Sequence, residues 1–419
     1  MSSNPTPSAH AFLLQPLREP VFRMFILAWL AGNMTMWMND VSASWLMAEL
    51  TDGPMMVALV QASASLPLFL LGLPSGALAD LMNRQRLYAF AQFWIALIAA
   101  VLALLAAMGK LTPNGLLLLC FGNGIGLAMR FPVFSAIVPT LVPRDQLPAA
   151  LTLNALAVNL SRIIGPLLAG AVIASMGMSA VFMLNAAMSL LSCGLILKCG
   201  LPAQQAASGR DGLLKTMRGG LAFVRQSLPM RSILWRAFCF FLHSIGLIAL
   251  LPLLAKGLKL DATSYTVLLA SMGAGAILAA LAMPRIAGSV MRDRVVAMGV
   301  VLYAIATVTA ALAPTIWLAA PAMALAGGVW LSVVNTLTMA VQLVLPNQLR
   351  ARGIAIYQMA IMGGSAAGAT LWGQVASHTS IKTALLASAA LSLAVLWLSR
   401  HVSVQTQAMP DPHAAQPTA

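Results

Sequence analysis

The chain has 419 residues, of which 60% are hydrophobic and only 8% charged. Soluble domains carry about 25% charged residues, so a water-soluble fold of this composition could not cover its own surface with polar groups, whereas lipid-facing helices need no polar side. The formal net charge of +14 would point to nucleic acid in a soluble protein, but the basic residues here are confined to particular loops, and nucleic acid is not an expected partner.

A bilayer core ~30 Å thick takes about 20 apolar residues per helix. Such segments are predicted at 21–48, 54–79, 86–109, 114–139, 149–173, 178–200, 232–255, 263–287, 294–313, 315–344, 352–377 and 380–400. Turn signals such as Asp52-Gly53-Pro54 and Thr112-Pro113-Asn114 separate them. The expected architecture is an all-α membrane protein of twelve transmembrane helices in two pseudo-symmetric six-helix bundles. Residues 1–20 read as an N-terminal tail without a cleavable signal, 21–200 and 229–400 as the bundles, and 401–419 as a disordered tail. Between the bundles, 201–228 is a linker in which Leu214, Met217, Leu221 and Val224 recur at amphipathic spacing.

Seventeen Lys and Arg fall on the side shared by both termini and four on the other, Lys110, Lys256, Lys259 and Lys382. This bias places both termini in the cytoplasm. Leu141-Val-Pro-Arg-Asp-Gln-Leu147 after span 4 is echoed by Leu343-Val-Leu-Pro-Asn-Gln-Leu349 after span 10, and Arg84-Gln-Arg86 by Arg292-Asp-Arg294. Echoes at equivalent loops argue for duplication of a six-span unit.

Polar residues inside spans mark the working parts, since a charge at the bilayer centre costs at least ~2.5–3.5 kcal/mol. In span 1, Asn33, Trp37 and Asp40 share a face with Ser44. Asp40 is the only one of ten acids well inside a span, and is the candidate proton-coupling residue; its alternative role is a structural carboxylate paired with an arginine. Arg130 in span 4 and Arg162 in span 5, one turn after Asn159, keep their charge. Each is a candidate to bind an anionic substrate, to hold Asp40 ionised, or to form a fixed structural contact. In the second half Arg236 and His243, seven apart in span 7, join Asn335 and Gln342 of span 10 and Tyr357 of span 11 as candidate cavity residues.

Specific motifs give a resemblance. Gly76-Ala-Leu-Ala-Asp80-Leu-Met-Asn-Arg84-Gln-Arg86 is similar to the Gly-x-Leu-x-Asp-Arg-x-Gly-Arg-Arg loop motif of the major facilitator superfamily. Ser161-Arg-Ile-Ile-Gly165-Pro166-Leu-Leu-Ala169-Gly170 is similar to its antiporter motif, with Ser161 and Ala169 where glycines are usual. Trp37-Met-Asn-Asp40-Val-Ser-Ala-Ser-Trp45-Leu46, Ala58-Leu-Val-Gln61, Leu73-Pro-Ser-Gly76 and Leu371-Trp-Gly373 resemble the bacterial branch containing the enterobactin exporter and related transmembrane secretion effectors. The resemblance implies that Gly76, Asp80, Arg84 and Arg86 latch a cytoplasmic gate, that Gly165, Pro166 and Gly170 favour export, and that spans 1, 4, 7 and 10 surround a central cavity.

No phosphate loop, Gly-x-Ser-x-Gly elbow or metal-spaced His/Cys/acid cluster occurs, so an enzyme, an ATP-driven pump and a cofactor or metal are not expected. The four cysteines lie in apolar stretches and read as packed thiols. The expected function is proton-coupled export of a small, partly hydrophobic molecule by a monomer in the bacterial inner membrane. The alternatives are lysophospholipid movement and a non-transporting sensor or scaffold.

Overall fold

The computed structural model describes residues 14–200, 222–286, 292–345 and 350–398. A short 3-10 turn, Gln15–Arg18, leads into twelve helices. The first half contains α1 (Pro20–Leu50), α2 (Pro54–Leu81), α3 (Arg84–Ala107), α4 (Pro113–Leu141), α5 (Leu147–Met176) and α6 (Met178–Lys198). The second contains α7 (Leu228–Gly257), α8 (Ala262–Ile286), α9 (Arg292–Leu312), α10 (Ile316–Val344), α11 (Arg350–His378) and α12 (Ile381–Leu398). All twelve include stretches long and apolar enough to cross a membrane, and each expected span coincides with one of them. Most of the expected amphipathic linker helix lies outside the described residues; 222–226 is helical, with Val224 buried.

Local chemistry sets the helix starts. Proline occupies the first turn of α1, α2, α4, α5 and α7, where its missing N–H costs nothing. Asn83, Thr112 and Ser227 cap α3, α4 and α7 by accepting from the backbone N–H groups of Arg86, Gly115 and Met230. Gly177, at φ 85°, makes the tight reversal between α5 and α6.

In the first half, neighbouring helices bury a core of their own at the end that carries the termini, whereas the second half's core is continuous with first-half residues such as Met38, Trp45 and Ala169. The first-half core gathers Phe22, Phe25, Trp29, Tyr88, Val133 and Ile196. At the opposite, far end the first half is not self-contained: Met47, Val57, Leu102, Leu116 and Phe182 share a cluster with Leu253 of α7.

The most extensive joints between the halves are α2 with α11 and α5 with α8. Small residues make these joints close. A Cβ at Gly72 of α2 would sit 3.0 Å from Met359 of α11, and one at Gly373 of α11 would sit 2.6 Å from Ala58 of α2. Packing of this kind, with a glycine on one side of each contact, brings backbones close, which is how helices associate where lipid removes the hydrophobic drive.

Candidate functional site

The in-span charges do not converge on one point. They divide into an acid near the far end, an arginine at the joint between halves, and an arginine sealed inside the first half.

Asp40 lies on α1, partly buried, and makes no salt bridge or hydrogen bond among the described residues. Its carboxyl is close enough to the Cys120 thiol of α4 and the Tyr265 phenol of α8 to act on both electrostatically. One turn further along α1, the Ser44 hydroxyl accepts from Gln61 Nε2 of α2 at 3.4 Å. Trp45 stacks on Tyr265 with 5.3 Å between ring centroids and donates its indole N–H to Glu49 at 2.6 Å. Asp40 is therefore next to a contact between α1 of one half and α8 of the other.

That contact is part of a seam closing the far end. Lys256, in the last turn of α7, donates to the Ala48 carbonyl at 2.7 Å and pairs with Asp52 at 3.0 Å. Just beyond α7, the exposed Asp261 accepts from the Ser264 backbone N–H at 2.9 Å, and the Ser264 hydrogen bonds hold its carboxyl below the usual carboxylate range.

Arg162 is only 7% exposed, yet no hydrogen bond or ion pair reaches it among the described residues. Its guanidinium carbon lies 4.3 Å from the ring centroid of Trp330 on α10 and 5.5 Å from that of Trp37 on α1. Cation–π attraction to two indoles offsets part of the cost of burying this charge. Gly165, Pro166 and Gly170 hold α5 in place around it. A Cβ at Gly165 would come within 2.8 Å of Trp37 Cβ, and one at Gly170 would collide with the Thr266 hydroxyl of α8. The first glycine therefore seats α5 on α1, and the second seats it on the other half. Pro166, inside the helix, removes one rung of the backbone ladder between them.

Arg130 is completely enclosed. Nη2 donates to Asn33 Oδ1 at 3.1 Å, whereas Nε and Nη1 have no hydrogen-bond partner among the described residues. Its guanidinium carbon lies 4.8 Å from the Trp29 ring centroid and 5.3 Å from that of Phe131. Gly32 leaves the space that Arg130 and Gln92 fill. Neither arginine is salt-bridged to Asp40; the alternative reading of Asp40 as an arginine-paired carboxylate is not seen among the described residues, and aromatic and amide contacts surround both guanidiniums.

The second-half candidates are spread out. Arg236 turns to Asp293 at the start of α9 (2.9 Å), and His243 packs edge-on to Phe240 and Tyr303, with no hydrogen-bond partner for Nε2 among the described residues. The two do share a face, but it is one packed on α9. Tyr357 is buried and is tied to Val334 and Thr338 of α10, while Asn335 and Gln342 are exposed on α10. Asn159 donates back to the Ala155 carbonyl of its own helix. A cavity of about 660 Å³ between α7 and α11, lined by Trp235, Phe238, Arg231 and Ala360 among others, includes none of the candidate residues. Cys120, Cys193, Cys199 and Cys239 are free thiols.

Gly76 and Asp80 belong to the last turns of α2 and Arg84 and Arg86 to the first turn of α3; the Asp80 side chain and the surroundings of Gly76 lie outside what the structure describes. The neighbours that depart from the motif have structural work instead. Asn83 caps α3, and Gln85 donates to the Ile196 and Leu197 carbonyls at the end of α6 (2.8 and 3.0 Å).

The described residues thus give twelve candidate spans, helix pairs α2–α11 and α5–α8 between the halves, and one buried arginine, Arg162, at their joint. Residues 11–417 match the model of the family described as transmembrane secretion effector. The chain belongs to that family. These effectors are major facilitator transporters and not enzymes. Over 211 residues the chain is 22% identical to macrolide efflux protein A of Streptococcus pyogenes, covering 50% of this chain and 52% of that protein. It is 24% identical over 139 residues to the staphyloferrin A transporter of Staphylococcus aureus, covering 33% and 35%. The matched stretches thus span about half or less of these curated relatives. In structure, the effector resembles a bacterial homologue of the lysosomal transporter Spinster in an inward-facing, occupied conformation, with TM-score 0.75 and 14% identity over 94% and 99% of the two chains. It also resembles the inward-open xylose transporter XylE of E. coli, with TM-score 0.70 and 12% identity over 93% and 97%.

Several residues of this transmembrane secretion effector escaped the sequence reading. Trp330 and Tyr265 look like ordinary apolar filling in an apolar helix, and only their cross-half partners give them a role; Trp45 stood in a family-like stretch but with no role attached. Lys256 carried a signal, as one of only four basic residues on its side.

Proposed function

We propose that the protein is a secondary active transporter that exports a small, partly hydrophobic molecule from the cytoplasm in exchange for protons. The observation that carries this reading is Asp40. It is a carboxyl without a salt bridge among the described residues, inside α1 and beside the Trp45–Tyr265 contact that joins the halves. A proton arriving or leaving there changes the charge next to that contact, and opening the far end must break the contact. Alternating access by rocking of the two bundles around their joint follows from this arrangement. With both termini cytoplasmic, as the loop charges favour, the closed far end faces the periplasm and the protein sits in the inner membrane. The efflux and siderophore relatives support export, and the protein is expected to work as a monomer. The Gly76, Asp80, Arg84 and Arg86 motif is assigned to the opposite, cytoplasmic gate.

The test uses everted membrane vesicles with an acidified lumen, challenged with labelled siderophores, drug-like molecules and lysophospholipids. Accumulation of one class that collapses with the pH gradient, and is lost in Asp40→Asn, is expected. Accumulation of lysophospholipid alone, independent of the gradient, would instead establish the lipid reading. Accumulation of nothing would leave a sensor or scaffold and would falsify export.

A further inference from the structure

We infer that Arg162, Trp37 and Trp330 form an anion-selective subsite at the joint of the two halves, taking a carboxylate carried on a planar, apolar body. The inference rests on the transport reading and specifies the class of its cargo.

Three observations converge. A guanidinium that is only 7% exposed and has no acid or hydrogen-bond acceptor among the described residues is a buried charge awaiting a counter-ion. Its five donors form a planar fork suited to a carboxylate, which it can bind through two parallel hydrogen bonds. A second buried donor is already present, because the indole N–H of Trp37 has no hydrogen-bond partner among the described residues.

The flanking groups then set the shape of the ligand. Trp37 and Trp330 come from different halves and both lie against the same guanidinium. A flat apolar ligand body beside the carboxylate can stack on either indole. Arg130 is unsuited to this task although it too lacks an acid. It is entirely enclosed by Trp29, Asn33, Phe131 and their neighbours within one half, with no surface to offer a ligand. Arg236 already has Asp293. Arg162 is thus the in-span arginine placed to meet a ligand at the boundary that alternating access moves.

The subsite also excludes ligands. A cation of the same shape meets a fixed positive charge in a medium where charges are poorly screened, so it should bind far more weakly than the anion. A neutral isostere should fall between the two.

The test is calorimetric titration of the full-length protein in nanodiscs with 2-naphthoate, 2-naphthylmethanol and 2-naphthylmethylammonium, each referenced to empty nanodiscs. Naphthoate is expected to bind at least about tenfold more tightly than the ammonium isostere. Arg162→Gln should erase that preference and Arg162→Lys should keep part of it. Trp330→Leu should weaken all three ligands without changing their order, which covers the case in which Arg162→Gln does not fold. Equal affinities, a preference for the cation, no saturable naphthoate binding, or an unchanged preference in Arg162→Gln would each overturn the assignment. The measurement needs no gradient. A protein that binds the anion but moves nothing would refute transport alone, and one that exports cargo but prefers the cation would refute this subsite alone.

Discussion

Lys256 of α7 donates to the carbonyl of Ala48 in the last turn of α1, across the boundary between halves, at 2.7 Å. A helix leaves its last four carbonyls without intrahelical partners, and here one of them is satisfied by a cation from the other half. The nearby pairing with Asp52 adds little, because the Asp52 side chain is 96% exposed and water screens such pairs. Lys256→Met should therefore raise the population open at the far end by roughly fivefold, about 1 kcal/mol for a partly exposed charged hydrogen bond. Asp52→Asn should leave it almost unchanged. Spin-label distances between positions 51 and 259 would report this as growth of a longer component, and equal effects of the two substitutions would refute it.

Gly170 and Thr266 meet across the α5–α8 joint, where an added Cβ has no room. Gly170→Ala should destabilise the protein by about 1–3 kcal/mol, as overpacking does elsewhere. Thr266→Ala removes the obstructing hydroxyl and methyl, so the double variant should recover most of the loss. Thermal unfolding of the four proteins in one detergent gives the coupling directly. Additive losses would mean that the two residues do not share this contact.

The Arg130–Asn33 pair makes an asymmetric prediction. Asn33→Ala removes the one side-chain oxygen that accepts from an enclosed guanidinium, leaving a buried charge still less satisfied at a cost of about 1–3 kcal/mol. Arg130→Met removes the charge itself and keeps an apolar side chain of similar reach. It gives up the contacts with Trp29 and Phe131 but also the desolvation cost of the cation. Melting temperature should therefore fall further in Asn33→Ala than in Arg130→Met. The reverse order would show that the aromatic contacts outweigh the burial of the charge.

The helices were legible in the sequence because lipid imposes a length and an apolar composition that few other environments do. The echoed loops raise the expectation of a duplicated six-span unit for a similar reason, since a repeated unit keeps its turns in register. The site was less legible. Side-chain spacing along α1 brought Asn33, Trp37 and Asp40 to one stretch of helix, yet Asn33 points to Arg130, Trp37 to Arg162, and Asp40 toward Tyr265. Helical periodicity specifies which residues share a face but not which of several neighbouring helices each one meets. Arg236 and His243 illustrate the same limit: their spacing of seven put them on one face, and tertiary packing set that face against α9. Trp330 carried no signal of its own, because its role depends on Arg162 approaching from a helix some 170 residues earlier in the chain.

Asp40 offers the sharpest separation between coupling and transport. If its carboxyl carries the proton, Asp40→Asn mimics the protonated form permanently and should leave the two bundles able to exchange access. In sealed proteoliposomes, counterflow of a labelled cargo that the wild type accumulates should then persist within about threefold. Accumulation against a concentration gradient driven by an acidic lumen should disappear, because a ligand or ion shifts a conformational equilibrium only through its differential affinity for the two states. Loss of both activities would make Asp40 a structural group at the Trp45–Tyr265 seam, and retention of both would move proton coupling elsewhere. Tyr265→Phe separates these cases further. It keeps the stack on Trp45 while removing the hydroxyl beside Asp40, so it should spare counterflow and weaken only the response to the gradient.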